Sequence, residues 1–125
     1  MKNHISIIIV NYNTPDDTKA TIQSLSEINH SGFDYRIIVV DNGSKELLSF
    51  NKVFQKNNPK IDLLRSESNL GFSGGNNLGI QHAIDHYDSD YYLLLNSDTI
   101  VDKDFLQALY DMMKKDPKIG LASSK

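Results

Sequence analysis

Four short runs of apolar, mostly β-branched or aromatic residues punctuate the chain: Ile5 to Val10, Tyr35 to Val40, Ile61 to Leu64 and Tyr91 to Leu95. Each is nearly continuous in apolar character rather than alternating, as expected of strands buried on both faces of a parallel sheet. Between them lie longer stretches with apolar residues at helical spacing. Thr14-Pro15-Asp16-Asp17 offers an N-cap, a proline at the first helical position and acids in the first turn. It predicts a helix to about Ile28, with Ile22, Leu25 and Ile28 facing the sheet. Ser44 is expected to open a second helix through Leu47, Leu48, Phe50, Val53 and Phe54, which Pro59 helps to end. Ser73 is expected to cap a third, carrying Leu78, Ala83, Ile84 and Tyr87. Asp102 or Asp104 should start a fourth through Phe105, Leu106, Leu109, Met112 and Met113, closed by Lys114, Lys115 and Pro117. The methionines and Tyr110 read as core. A fifth strand is expected from Ile119 to Lys125.

This alternation predicts an α/β fold: a mostly parallel sheet flanked by helices. With no internal repeat, low-complexity tract or linker, one domain is expected. Because the pattern stops as a strand begins, residues 1–125 are expected to be an incomplete portion of that domain.

Composition narrows the partners. With 125 residues and 39% hydrophobic content, the chain can bury roughly two-thirds of its unfolded surface around one core. A net charge of -3, from 13 basic and 16 acidic residues, leaves no electropositive excess for DNA or RNA. The absence of cysteine excludes disulfides, thiolate metal sites and cysteine nucleophiles. The run Ile5 to Val10, interrupted by Ser6, is too short for a signal-peptide core or a membrane span.

In an open parallel sheet, ligands bind outside the carboxyl ends of the strands. Those ends run into Asn11-Tyr12-Asn13, Asp41-Asn42-Gly43-Ser44, Arg65 through Gly75 and Asn96-Ser97-Asp98, all rich in polar residues and glycine. The opposite ends read as ordinary turns. The four loops define one expected crevice, although each has a plainer reading. Asp41-Asn42-Gly43-Ser44 could be a turn into a capped helix, and Asn96-Ser97-Asp98 a turn whose acid caps local backbone. Tyr12 could simply pack. Gly71-Phe72-Ser73-Gly74-Gly75 serves either a tight bend with close helix-to-sheet contact or an approach of backbone N–H groups and Asn69, Asn76 or Asn77 to a ligand. Arg65 either reaches a phosphate or is solvated. His82 and His86 have i, i+4 spacing that could suit a metal, but surface histidines are the expectation. There is no G-x-x-x-x-G-K-[ST] loop, and the glycines follow the third strand rather than the first, so P-loop and Rossmann phosphate cradles are excluded. A diphosphate here needs another counter-charge, for which a divalent cation on Asp98 is the candidate.

Taken in order, Ile7-Ile8-Ile9-Val10-Asn11-Tyr12-Asn13, Val39-Val40-Asp41-Asn42-Gly43-Ser44, Asn69-Leu70-Gly71-Phe72-Ser73-Gly74-Gly75-Asn76-Asn77 and Leu95-Asn96-Ser97-Asp98 resemble family-two glycosyltransferases, most of all the rhamnosyltransferase-type members. The resemblance implies a GT-A fold and inverting transfer of a sugar from a nucleoside diphosphate donor, a UDP- or dTDP-sugar with dTDP-rhamnose among the candidates. It implies a nucleobase held at Asn11, Tyr12 and Asp41, with Asn69, Gly71 and Asn76 further along the donor. The family's D-x-D motif reads Asn96-Ser97-Asp98 here: Asn96 keeps a hydrogen-bonding role toward the sugar, while Asp98 keeps the metal, magnesium or manganese. The catalytic base is expected beyond Lys125. The acceptor implied is a glycan or lipid-linked glycan, bound through an absent half. The location implied is cytoplasmic, extending to the inner face of the membrane, where nucleotide sugars are supplied. An exposed sheet edge could also drive self-association.

Three other readings follow from the same residues. The chain alone could be a non-catalytic nucleotide-binding fragment of such an enzyme. A receiver-like signalling domain would match in size, but its acid pair and phospho-accepting aspartate are replaced by Asn11-Tyr12-Asn13 and Arg65-Ser66-Glu67. A nucleotidyltransferase would need a glycine-rich basic loop after the first strand, which is missing.

Overall fold

The computed structural model describes residues 3–115 and 121–124. Its elements are β1 (Asn3–Asn11), α1 (Pro15–Ser26), β2 (Phe33–Asn42), α2 (Lys52–Asn57), β3 (Ile61–Ser66), α3 (Gly71–His86), β4 (Tyr91–Leu95), α4 (Phe105–Lys115) and β5 (Leu121–Ser124). The strands form one sheet in the order β3-β2-β1-β4-β5, with every neighbouring pair parallel.

The apolar runs are continuous because successive side chains point to opposite faces and both faces are covered. Ile5, Ile7 and Ile9 of β1, Ile37 and Val39 of β2, and Leu93 and Leu95 of β4 share one face with Ile22 and Leu25 of α1 and Leu106 and Tyr110 of α4. Ile8 and Ile38 lie on the other, under Ala83 of α3 and beside the partly buried Leu64, Tyr92 and Leu94. The helix α3 sits close to the sheet: a β-carbon at Gly75 would lie 2.9 Å from Val10 Cγ1, and one at Gly79 2.7 Å from Ile8 Cγ2. These two glycines therefore set the approach of α3 and place its first turn over the carboxyl end of β1.

The structure corrects several expected boundaries. No helix begins at Ser44; residues 44–51 are irregular and the helix spans only Lys52–Asn57. Its cap is Asn51, whose side chain accepts the Phe54 N–H at 2.8 Å. Leu47 and Val53, expected on its apolar face, are exposed. The third helix starts at Gly71 rather than Ser73, with Leu70 at the N-cap position and no side-chain cap. Leu78 and Ile84 of that helix are exposed. At α4, Asp102 forms the entry turn, its carboxylate accepting the Asp104 N–H and its carbonyl the Phe105 N–H. Met113 and Tyr110 are core, whereas Met112 is exposed. The strand β5 falls within the expected fifth strand; Ile119, Gly120 and Lys125 of that expectation lie outside the described residues, as does Pro117.

Candidate active site

The order β3-β2-β1-β4-β5 means that successive strands proceed outward from β1 on one side and, after the crossover through α3, from β4 on the other. The carboxyl ends of β1 and β4 therefore lie side by side where the strand order reverses, the expected place for a ligand in an open parallel sheet, and the loops that leave them lead into α1 and α4 on one face. The loop after β1 carries Tyr12, 44% exposed, and the loop after β4 carries the exposed Asp98. The two loops meet where Thr14 Oγ1 lies 3.5 Å from Ser97 Oγ.

Beneath Tyr12 the side chains are committed to one another. Asn11 is 1% exposed. Its Nδ2 donates to Asp41 Oδ1 at 3.1 Å and to Ser44 Oγ at 3.2 Å, while its Oδ1 accepts the hydroxyls of Thr18 at 2.5 Å and Thr14 at 3.3 Å. Thr14, expected as an N-cap, makes no side-chain cap bond to α1; its hydroxyl turns to Asn11 instead. Asn13 takes a left-handed conformation at φ 55°. There its N–H donates to Ser44 Oγ at 2.9 Å and its Oδ1 accepts the Lys45 N–H at 2.9 Å. Ser44, expected to begin a helix, is thus a buried knot joining the ends of β1 and β2.

Asp41 is 1% exposed, and its Oδ2 accepts the Leu48 N–H at 2.8 Å and Arg65 Nη1 at 2.8 Å. Burial pushes its carboxyl up, but hydrogen bonds from Ser44, the Leu48 N–H and Asn11, together with the Arg65 charge, outweigh this and hold it below the usual carboxylate range. Arg65 also donates to the Ser44 carbonyl at 3.3 Å. It is therefore paired rather than projecting free toward a phosphate, while its side chain stays partly solvated. In this geometry Asp41 builds the floor of the site, and Arg65, 36% exposed along its side chain, presents the accessible face of the pair.

The third loop is clamped from β2. Asn42, 2% exposed, donates to Asn69 Oδ1 at 3.2 Å and the Gly71 carbonyl at 3.0 Å, and accepts the Leu70 N–H at 3.0 Å. Asn69 and Gly71 are exposed at the mouth of this loop. Asn76 is not: it is buried and its Nδ2 donates back to the Phe72 carbonyl at 3.1 Å within α3. Asn96 is half-buried, its carbonyl accepting the Thr99 N–H in a turn that leaves Asp98 outside.

Among the described residues no cluster of three histidine or acidic side chains could hold a metal by itself. The His82–His86 pair does not form one: His82 Nε2 meets Asp62 at 2.9 Å and His86 Nδ1 meets the His82 carbonyl at 2.9 Å. An exposed carboxylate such as Asp98 suits a magnesium or manganese ion whose other ligands are phosphate oxygens and water, and does not suit a preformed cage. Sequence reasoning missed Asn42, Thr18 and Thr21. The signal for the threonines was the recurrence Thr14, Thr18, Thr21, which continues the helical stripe of Ile22 and Leu25 with hydroxyls.

The family described as Glycosyl transferase family 2 matches residues 6–124. Among individual proteins, the chain is 33% identical over 111 residues to the low-salt glycan biosynthesis hexosyltransferase Agl10 of Haloferax volcanii, covering 88% of this chain and 33% of that protein. It is 27% identical over 116 residues to the poly-beta-1,6-N-acetyl-D-glucosamine synthase of Staphylococcus aureus, covering 93% and 27%. The amylovoran biosynthesis glycosyltransferase AmsB of Erwinia amylovora matches at 29% over 113 residues, covering 88% and 36%. The chain therefore spans about a third of the length of these curated relatives. Among solved structures, S. aureus TarS superposes with a TM-score of 0.70 at 21% identity, over 92% of this chain and 20% of that one. TarS 1-349 in complex with UDP-GlcNAc gives 0.69 at 20%, over 92% and 32%. These likenesses agree with the fold read from the strand order, a GT-A sheet flanked by helices.

Proposed function

The chain belongs to glycosyl transferase family 2, and from that premise we propose that the crevice between β1 and β4 binds the nucleoside diphosphate of a sugar donor. The observation that carries this is the placement, on neighbouring loops at the carboxyl ends of β1 and β4, of an exposed aromatic ring, Tyr12, and an exposed carboxylate, Asp98. The ring packs on the face of the base. Asn11, Asp41 and Arg65 hold the floor beneath it, the guanidinium edge being the group on that floor a base or ribose can reach. Asn69 and Gly71 flank the donor from the third loop, and Asn96 offers an amide to a sugar hydroxyl.

Asp98 is the residue that would hold magnesium or manganese, which when bound would supply charge stabilisation to the departing diphosphate. What the chain itself does is orient the donor and keep Asp98 open toward it. The proposed donors are UDP-sugars first, since a TarS structure carries UDP-GlcNAc, with dTDP-rhamnose as the alternative suggested by the loop sequences. The acceptor, a glycan or lipid-linked glycan, and the base that deprotonates it are assigned to the portion of the relatives that these 125 residues do not match. On this reading the chain is the donor-binding part of one GT-A domain. It binds nucleotide without transferring sugar by itself. No helix among the described residues is long and apolar enough to cross a membrane; a cytoplasmic site of action is proposed from the supply of nucleotide sugars.

The test is calorimetric titration of UDP, dTDP and GDP into the folded chain with and without manganese. Saturable binding that strengthens with manganese and loses that gain in Asp98→Ala is the expected result. No heat with any nucleotide at millimolar concentration would overturn the proposal.

A further inference from the structure

Asp98 is carried by a segment with little structure of its own. Residues 96–101 leave β4 as a turn closed by Thr99 N–H to the Asn96 carbonyl at 3.2 Å, and both Asp98 and Ile100 point into solvent. Besides the 3.5 Å approach of Thr14 Oγ1 to Ser97 Oγ, the segment is held at two points that bracket Asp98, and both of these lie on α1. Thr21, fully buried, donates its hydroxyl to the Ser97 carbonyl at 2.8 Å. Three residues further along the helix, Ser24 Oγ accepts the Val101 N–H at 3.2 Å while donating to the Thr21 carbonyl at 2.7 Å. Val101 itself is 8% exposed and anchors the far end of the segment in the core.

The Thr21 hydroxyl has two acceptors for its one hydrogen, the Asp17 carbonyl of its own helix at 3.0 Å and the Ser97 carbonyl at 2.8 Å. The helix alone would satisfy a buried threonine, yet the carbonyl of Ser97 is the nearer of the two. The same helix grips the opposite wall of the crevice through Thr18, whose hydroxyl meets Asn11 Oδ1 and through it Asp41. The two walls are thus served by different hydroxyls one turn apart on α1.

We propose that Thr21 and Ser24 are positioning residues for Asp98: they fix the carbonyl before it and the N–H after it, and so hold its carboxylate where a metal-bridged diphosphate would meet it. This rests on the donor-binding reading above.

The test uses the full chain and titrates UDP with and without manganese in the parent, Thr21→Val and Thr18→Val, the valines keeping the branched shape while removing the hydroxyl. Thr21→Val is expected to leave metal-free UDP affinity unchanged and to reduce the manganese-dependent gain about fivefold, the worth of one intramolecular hydrogen bond. Amide exchange at Asp98 and Thr99 should quicken in the same variant. Thr18→Val is expected to weaken binding equally with and without metal. Equal loss in both conditions for Thr21→Val, or no loss, overturns the proposal. If Thr21→Val does not fold, Ser24→Ala is read by the same criteria. A parent that binds UDP without any gain from manganese overturns this inference and the metal role given to Asp98 but not the donor-binding reading, whereas a parent that binds no nucleotide overturns the donor reading on which both stand.

Discussion

Arg65 Nη1 lies 2.8 Å from Asp41 Oδ2, and the two ends of this ion pair differ sharply in exposure, 36% for the arginine side chain against 1% for the aspartate. The carboxylate is desolvated, and among the described residues the guanidinium is its only charged hydrogen-bond partner. Removing the arginine leaves a buried charge with only neutral donors from Asn11, Ser44 and the Leu48 N–H. For fully buried pairs such truncation costs about 3–5 kcal/mol. Because Arg65 is partly solvated, Arg65→Ala is expected to cost less, about 2 kcal/mol, measured as a lowered urea midpoint at unchanged slope.

A second prediction concerns pH. Asp62 accepts Arg36 Nη2 at 2.7 Å, His82 Nε2 at 2.9 Å and the hydroxyl of Tyr87, tying α3 and its following turn to the edge of the sheet. Burial pushes its carboxyl up, but the bonds from Tyr87, His82 and Arg36 and the Arg36 charge hold it below the usual range. A carboxyl depressed in the folded state stabilises above its unfolded pKa of about 3.9, and that contribution is lost as pH falls through the folded value. Asp41, depressed likewise, adds to the same loss. Thermal melting followed from pH 7 downward should therefore show stability falling below about pH 4. In Asp62→Asn the fall should be shallower and stability at pH 7 lower. An acid limb as steep as that of the parent would show that Asp62 does not contribute.

Gly43 joins β2 to the site at φ 75°, and a β-carbon there would stand 2.4 Å from the Asn69 N and 2.5 Å from the Ser68 carbonyl carbon. Both neighbours are backbone and cannot swing aside as a side chain tip would. Gly43→Ala is expected to destabilise by more than about 1 kcal/mol, the ordinary strain of a left-handed non-glycine residue, because the loop carrying Asn69 must also shift. Urea unfolding measures the first effect and amide exchange at Leu70 the second. An unchanged Leu70 rate would mean that the loop absorbs the methyl group without moving.

What was legible in the sequence was whatever local pattern decides. The four apolar runs became strands because a two-sided core leaves them no alternative, and the polar loops at their carboxyl ends fell together because a parallel sheet brings all such ends to one edge. What failed was decided by distant partners. Leu47, Leu48, Phe50, Val53 and Phe54 have a helical rhythm, but the Leu48 N–H is taken by Asp41 and Ser44 is drawn to Asn11 and Asn13, so the helix waits until Asn51 can cap it. Arg65 read as free because Asp41 is 24 residues away. Asn42 read as a turn residue because its three partners, Asn69, Leu70 and Gly71, are supplied by another loop.

Tyr12 tests the candidate site with least disturbance to the fold. At 44% exposure its ring contributes little to the core, and among the described residues no hydrogen bond engages its hydroxyl, so Tyr12→Ala should unfold at nearly the parent urea concentration. A base packed on the ring would lose its platform. Stacking on an aromatic side chain is worth about 1–3 kcal/mol per base by alanine substitution, which corresponds to roughly a fivefold or greater rise in the UDP dissociation constant. The loss should be the same with and without manganese, since the ring is assigned to the base and not to the diphosphate. Tyr12→Phe separates the ring from its hydroxyl: it should bind UDP as the parent does if packing is what matters. If Tyr12→Phe fell to the level of Tyr12→Ala, the hydroxyl rather than the ring face would be the contact. If Tyr12→Ala bound UDP as well as the parent, the base would have to lie elsewhere, and the exposed guanidinium edge of Arg65 would become the first alternative to examine.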